Sequence, residues 1–258
     1  MVDAGMGGVV LKSHFYPTPI TARFYQEKFP DFNIIGSITL NASAGGCNVW
    51  AVEAAHSLGA KVAYMPTWSA KNDLHKKSIS HVIGNYVPHL SDFTEEDGTY
   101  IMDETGAVAK KYLDILDFMK EKDMTLFTGH ISPEECIALA KAAKEMGFKK
   151  LVMQHPDSGS VKATFEQVKE IAALGAYIEI CALGLTPIYY RITPPMFEQM
   201  IHTVGADKCV MTTDYFFEWS APIPEQMRLL AASLMSAGVE DEEITAMARY
   251  NPERLLGL

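Results

Sequence analysis

The sequence predicts an α/β protein built on parallel strands, and three observations carry that reading. Seven short β-branched or apolar runs recur along the 258 residues. Most of them alternate with amphipathic helical patterns, the arrangement that right-handed parallel crossovers require. Glycine then closes one helix after another: Gly147, Gly175, Gly205 and Gly238 each follow an apolar-periodic segment, as a left-handed C-terminal residue does. The rhythm fits a closed barrel or an open doubly wound sheet. One α/β barrel commonly takes about 250 residues, so a single domain over residues 1–258 is expected.

The strands are expected at Gly8–His14, Ile34–Asn41, Lys61–Pro66, Met124–His130, Lys150–His155, Ala176–Cys181 and Lys208–Asp214. A full barrel needs eight, so one is missing. Helix starts are legible where Ser132, Pro133 and Glu135 make a capping box and where Thr193 precedes Pro194. The rhythm breaks at about 68–123, a connection far longer than usual, read as an excursion over the strand ends. Within it a small hairpin is expected to turn at Glu104, Thr105 and Gly106. An amphipathic helix should follow, with Val108, Tyr112, Ile115 and Met119 on one face.

A formal net charge of −10 argues against nucleic acid as a partner, because phosphate recognition needs clustered Lys and Arg. The densest basic group, Lys71, Lys76 and Lys77, reads as a solvated helix face. Cys47, Cys136, Cys181 and Cys209 form no CxxC pair, which fits a reducing, cytoplasmic location rather than a disulfide framework. No apolar run reaches the roughly 18 residues that span a bilayer, and no leader pattern opens the chain, so no membrane association is expected.

Four strand candidates end in side chains able to bind a metal: His14 in KSH, His130 in TGH, His155 in QHP and Asp214 in TTD. Parallel strands open their C-terminal ends onto the active site, so these four point to one shared pocket. The strand period of two places Lys12 and His14 on the same face. A buried ammonium needs a partner, and the alternative has Lys12 reaching solvent. His130, at a strand-to-helix corner, either binds a ligand or holds its loop. Asp214 either meets a cation or pairs with Lys12. Imidazoles and a carboxylate together suit Zn²⁺ or a similar divalent ion that activates water.

Other candidates are weighed beside these. Glu179, between Ile178 and Ile180, faces either the pocket or a helix. Asn41 and Thr67 lie near strand ends, to line a substrate site or to bond a loop. Arg191 either binds a substrate carboxylate or lies at the surface. His56, His75, His81, His89 and His202 fall away from strand ends and are left out of the site.

The segments GGVVLKSHFYPT, GGCNVWAVEAA, VAYMPT, TGHISPEE, VMQHP, TTDYF and NPERLLGL, in that order, resemble the amidohydrolase superfamily of metal-dependent hydrolases. The likeness spans nearly the whole chain, in a branch marked by KSH, TGH and HP, and it rests on motif order. It implies a TIM-like (β/α)₈ barrel with a divalent metal, zinc first among them, at the C-terminal mouth. By position, His130 would match the ligand after strand five and His155 the ligand after strand six. Asp214 would match the strand-eight aspartate that binds metal and takes the proton of water. Lys12 and His14 would follow strand two, with roles that the superfamily pattern does not set.

The superfamily's HxH pair after strand one has no counterpart here, and VDAGMGGVV resembles the entry into strand two. Strand one is therefore expected to be missing at the N-terminus. An open barrel exposes a sheet edge unless another segment or subunit covers it, so a homo-oligomer fits. The implied activity is hydrolysis of a small amide, ester or lactone-like substrate through metal-activated water, with Lys12 or Arg191 stabilising negative charge. The alternatives are a metal-dependent decarboxylase of the same superfamily and a non-catalytic, degenerate barrel that binds a small molecule.

Overall fold

Seven parallel strands pair in the order in which the chain makes them. They are β1 (Gly8–Leu11), β2 (Asn33–Thr39), β3 (Ala60–Tyr64), β4 (Thr125–Phe127), β5 (Leu151–Met153), β6 (Tyr177–Cys181) and β7 (Cys209–Thr212). The structure is a computed structural model that describes residues 1–187, 189–215 and 220–258. Strands β1 and β7 are the two edges of the sheet. Even so, Lys12, just past β1, and Asp214, just past β7, meet at 3.5 Å. The sheet therefore curls round on itself into a TIM-like half-barrel.

Alternation along each strand builds two apolar layers. Ile35, Val62, Tyr64, Phe127, Val152, Tyr177 and Val210 form the inner cluster. Their neighbours, among them Ile38, Ala63, Leu126, Met153, Ile178 and Met211, pack outward against the helices. The C-terminal helix α11 (Asn251–Leu256) closes the end of the barrel away from the site. Its Leu255 joins the inner cluster, and Thr125 Oγ1 donates to the Leu255 carbonyl at 2.6 Å.

The crossovers are α1 (Pro19–Gln26), α2 (Val49–Ser57), α3 (Lys71–Lys76), α4 (Ile79–Gly84), α5 (Lys110–Glu121), α6 (Pro133–Met146), α7 (Phe165–Ala173) and α8 (Pro194–Val204). The chain ends in α9 (Ile223–Ser236), α10 (Asp241–Thr245) and α11 (Asn251–Leu256). Local chemistry sets their ends as read from sequence. Ser132 and Glu135 bond reciprocally at the start of α6, and Thr193 accepts from the Met196 N–H at the start of α8. Gly147, Gly175, Gly205 and Gly238 all have positive φ.

The long connection between β3 and β4 holds α3, α4 and α5. Its hairpin forms, with Met102 bridged antiparallel to Val108, and Tyr112, Ile115 and Met119 of α5 are buried. Of the basic cluster, Lys71 and Lys77 are exposed as expected of a solvated face, and Lys76 is half-buried. Lys76 Nζ donates to the Val161 carbonyl at 2.6 Å, because α3 is folded down onto the loop after β5 rather than lying free. Among the described residues no helix is long and apolar enough to cross a membrane.

Candidate functional site

The strands stop two or three residues short of the metal-competent side chains, and the backbone then turns sharply. His155 and Asp214 both occupy the left-handed region, at φ 22° and 46°. A non-glycine residue there is strained by about 1 kcal/mol or more and persists only where surrounding contacts impose it. At the third corner the strain is avoided by Gly129, at φ 59°, where any Cβ would stand 2.2 Å from the Met65 carbonyl oxygen. That turn sets His130, whose N–H donates to the Pro66 carbonyl at 2.9 Å.

All four expected ligands line one cavity of about 250 Å³: His14, His130, His155 and Asp214, joined by Arg191. The His130 and His155 ring centroids are 5.0 Å apart, and His155 Nε2 is 4.0 Å from Asp214 Oδ2. Another depression, along α8 and α9, is lined by Pro, Ala and Ser and offers no titratable group.

Behind the cavity a layer of buried polar groups holds these side chains. Asp73 on α3 is fully buried, and its Oδ2 lies 2.7 Å from His130 Nδ1 while Oδ1 accepts the Ser80 N–H at 2.8 Å. Asn72 Nδ2 donates to the His130 carbonyl at 2.8 Å and the Ser160 carbonyl at 2.7 Å, tying α3 to two strand-end loops. His14 Nδ1 lies 2.8 Å from Thr67 Oγ1, and Asn41 Nδ2 donates to the His14 carbonyl at 3.0 Å. Glu179 faces the barrel interior. Its Oε2 accepts the His155 N–H at 2.6 Å and its Oε1 the Thr212 hydroxyl at 2.9 Å, so it supports two strand ends at once.

The electrostatics follow from burial and from Lys12. Burial, with Lys12 and His130 nearby, lowers His14 to about 3. Burial and His130 lower His155 to about 3 as well. Both rings are therefore neutral at pH 7 and hold a lone pair. Burial alone would raise the Asp214 carboxyl, but Lys12 and the surrounding imidazoles hold it well below the usual carboxylate range. Burial likewise works against Asp73, which the His130 and Ser80 hydrogen bonds nevertheless keep low. Burial and the charge of Asp214 push Glu179 up to about 7.

Several expectations need correction. Asn41 and Thr67 were candidates to bind substrate, but both are fully buried and outside the cavity lining. Their polar atoms are spent on each other and on His14. Lys12 and Glu179 also lie outside the lining. Lys12 takes the ion pair with Asp214, lying 4.8 Å from the Tyr64 ring centroid. Asp73 was missed altogether. Phe216, the last residue of the TTDYF segment, lies outside the described residues.

The donor set fits a first-row divalent cation in chemistry: neutral imidazoles, an ionised carboxylate, and an outer carboxylate on the far nitrogen of one imidazole. His155 Nδ1 is in addition buried with no hydrogen-bond partner among the described residues. The set is not drawn tight, since among those residues no three His, Cys, Asp or Glu side chains stand close enough to close a coordination shell.

A family model described as "Family of unknown function (DUF6282)" matches residues 1–179. That span includes His14, His130 and His155 and ends before Arg191 and Asp214. No curated protein matches the chain. Solved structures match its fold. An amidohydrolase from Pseudomonas aeruginosa is 13% identical, with TM-score 0.57 over 99% of this chain and 79% of that one. A metallo peptidase from Rhodobacter sphaeroides, liganded with a phosphinate mimic of L-Ala-D-Ala, is 13% identical, with TM-score 0.58 over 99% and 70%. An uncharacterised Tim-barrel protein from Bordetella bronchiseptica is 12% identical, with TM-score 0.56 over 100% and 80%.

Proposed function

The chain belongs to DUF6282, a family of unknown function, and from the cavity at its strand ends we propose that it is a metal-dependent hydrolase of a small amide, ester or lactone-like substrate. The observation that carries this reading is the meeting of three imidazoles and one carboxylate in a single cavity, two of the four held there by strained backbone. His130, His155 and Asp214 would hold the cation, zinc or a similar first-row ion that takes imidazole and carboxylate together, with His14 beside them. When bound, such an ion polarises a carbonyl and brings the pKa of water toward about 7.

The chain's own residues then have distinct parts. Asp73 keeps the His130 proton on Nδ1 and so leaves Nε2 as the ligating nitrogen. Asp214, ionised at neutral pH, takes a proton from the attacking water through Oδ2, the oxygen on the His155 side. Lys12 keeps that carboxylate ionised from the other oxygen, outside the cavity lining. Glu179 holds the strained turn at His155 by accepting its N–H. A small-molecule substrate suits the cavity's size. Four free cysteines fit a cytoplasmic setting.

Turnover tests the reading. The zinc-loaded protein should cleave members of a panel of small amides, esters and lactones in ¹⁸O-water, placing one labelled oxygen in the acid product. Chelation or Asp214→Asn should abolish this. Carbon dioxide released without label in an acid product would refute hydrolysis, and turnover indifferent to chelation would refute its dependence on a metal.

A further inference from the structure

We propose that Arg191 is the receptor for a carboxylate carried by the substrate, so that this cavity takes a small carboxylic acid with an apolar body. The inference names the substrate class of the hydrolase site proposed above and rests on that reading. Arg191 is the one Lys or Arg among the described residues that line the cavity. Its backbone N–H donates to the Gly184 carbonyl at 3.1 Å, which ties the residue to the loop after β6, and its guanidinium carbon stands 5.4 Å from the Tyr189 ring centroid, so the head group lies against that ring.

Among the described residues the guanidinium is only loosely engaged. Its ion-pair partner among them is Asp157, with Nε 3.9 Å from Oδ2, beyond hydrogen-bond distance. Neither Asp157 oxygen nor Arg191 Nε has a hydrogen-bond partner among the described residues, although the Asp157 side chain is only 4% exposed. The place for that carboxyl is reserved by Gly184, where any Cβ would come within 2.5 Å of Asp157 Oδ2. A planar fork of donors held at a cavity wall, and not closed by its own counter-ion, is the geometry that recognises a carboxylate through paired hydrogen bonds.

Charge and shape narrow the class further. Asp157 behind the guanidinium and ionised Asp214 in the same cavity disfavour a phosphate dianion and leave a monoanion as the better match. Ile79 and Val82 of α4, with Leu183 after β6, give the cavity an apolar wall. A hydrocarbon or aryl body would lie against it.

Benzoate, its neutral isostere benzamide, and inorganic phosphate are the probes, titrated by calorimetry into the chelator-treated protein. Benzoate should bind at least about tenfold more tightly than benzamide, the worth of one charge-assisted contact, and more tightly than phosphate. Arg191→Met should lose about 10- to 100-fold in benzoate affinity, and Arg191→Lys, which keeps the charge without the fork, should lose less. Equal binding of benzoate and benzamide, tighter binding of phosphate, or an unchanged benzoate affinity in both Arg191 variants would overturn the proposal. Zinc uptake by the wild type reports separately on the hydrolase reading: its absence would leave the benzoate result standing, and its presence would not rescue a failed one.

Discussion

Replacing Asp73 by Asn should weaken cation binding without unfolding the protein, and the size of the effect follows from two hydrogen bonds. In the native site Oδ1 accepts the Ser80 N–H at 2.8 Å, and Oδ2 accepts a hydrogen bond from His130 Nδ1–H at 2.7 Å. A carboxylate can only accept, so His130 carries its proton on Nδ1 and keeps the Nε2 lone pair for the cavity. In Asp73→Asn the amide oxygen retains Ser80, and the amide nitrogen faces Nδ1 as a donor. The imidazole must then accept there and move its proton to Nε2, where it blocks ligation. Loss of such an outer partner costs about 10- to 100-fold in metal affinity, or about 1.4–2.7 kcal/mol. Competition for zinc against a chromophoric chelator at pH 7.5 reads the affinity, and urea unfolding of the apoprotein checks the fold. The fold should lose no more than about 1 kcal/mol, since one buried hydrogen bond replaces another. Asp73→Ala, which leaves two buried donors unpaired, should lose about 2–6 kcal/mol. Zinc affinity in Asp73→Asn equal to wild type, with the fold intact, would refute the assignment of His130.

Two further outcomes test the supports of the site. Glu179 sits near 7 against an ordinary 4.5, so the native protein keeps a proton that the unfolded chain has lost; the resulting stabilisation is complete below about 4.5 and disappears as pH rises through 7. The stability advantage of wild type over Glu179→Gln, measured by urea unfolding of apoprotein, should accordingly shrink by about 3 kcal/mol between pH 5 and pH 8.5; parallel curves would contradict it. Gly129→Ala should lose about 3 kcal/mol or more in thermal unfolding, because the turn requires positive φ and the methyl group would overlap the Met65 carbonyl; wild-type stability would contradict the turn.

What could be read from sequence was what repeats locally. The seven strands, the capping box at Ser132 and the buried stripe of α5 follow from residue spacings of two to four, and each appears within a few residues of where it was expected. The expected strands run past the sheet at His14, His130, His155 and Asp214, because the backbone leaves it before those side chains, and at His155 and Asp214 it does so with positive φ and no glycine to announce it. The placement of His14, His130, His155 and Asp214 in one cavity needed only the rule that parallel strands open on one face. Asp73 was invisible for the opposite reason: it reaches His130 across 57 residues of sequence, from a helix whose periodicity marks it only as polar. Asn41 and Thr67 were seen as polar strand-end residues, and no local pattern distinguishes a group that meets substrate from one that holds His14.

Equilibrium dialysis of the metal-free protein against zinc, followed by elemental analysis, reaches the central claim most directly. Stoichiometric uptake by wild type, and none by a folded His130→Ala/His155→Ala protein, is the result expected of a cation held between β4, β5 and β7. Wild-type protein that takes up no zinc, or a double variant that takes up as much, would contradict it.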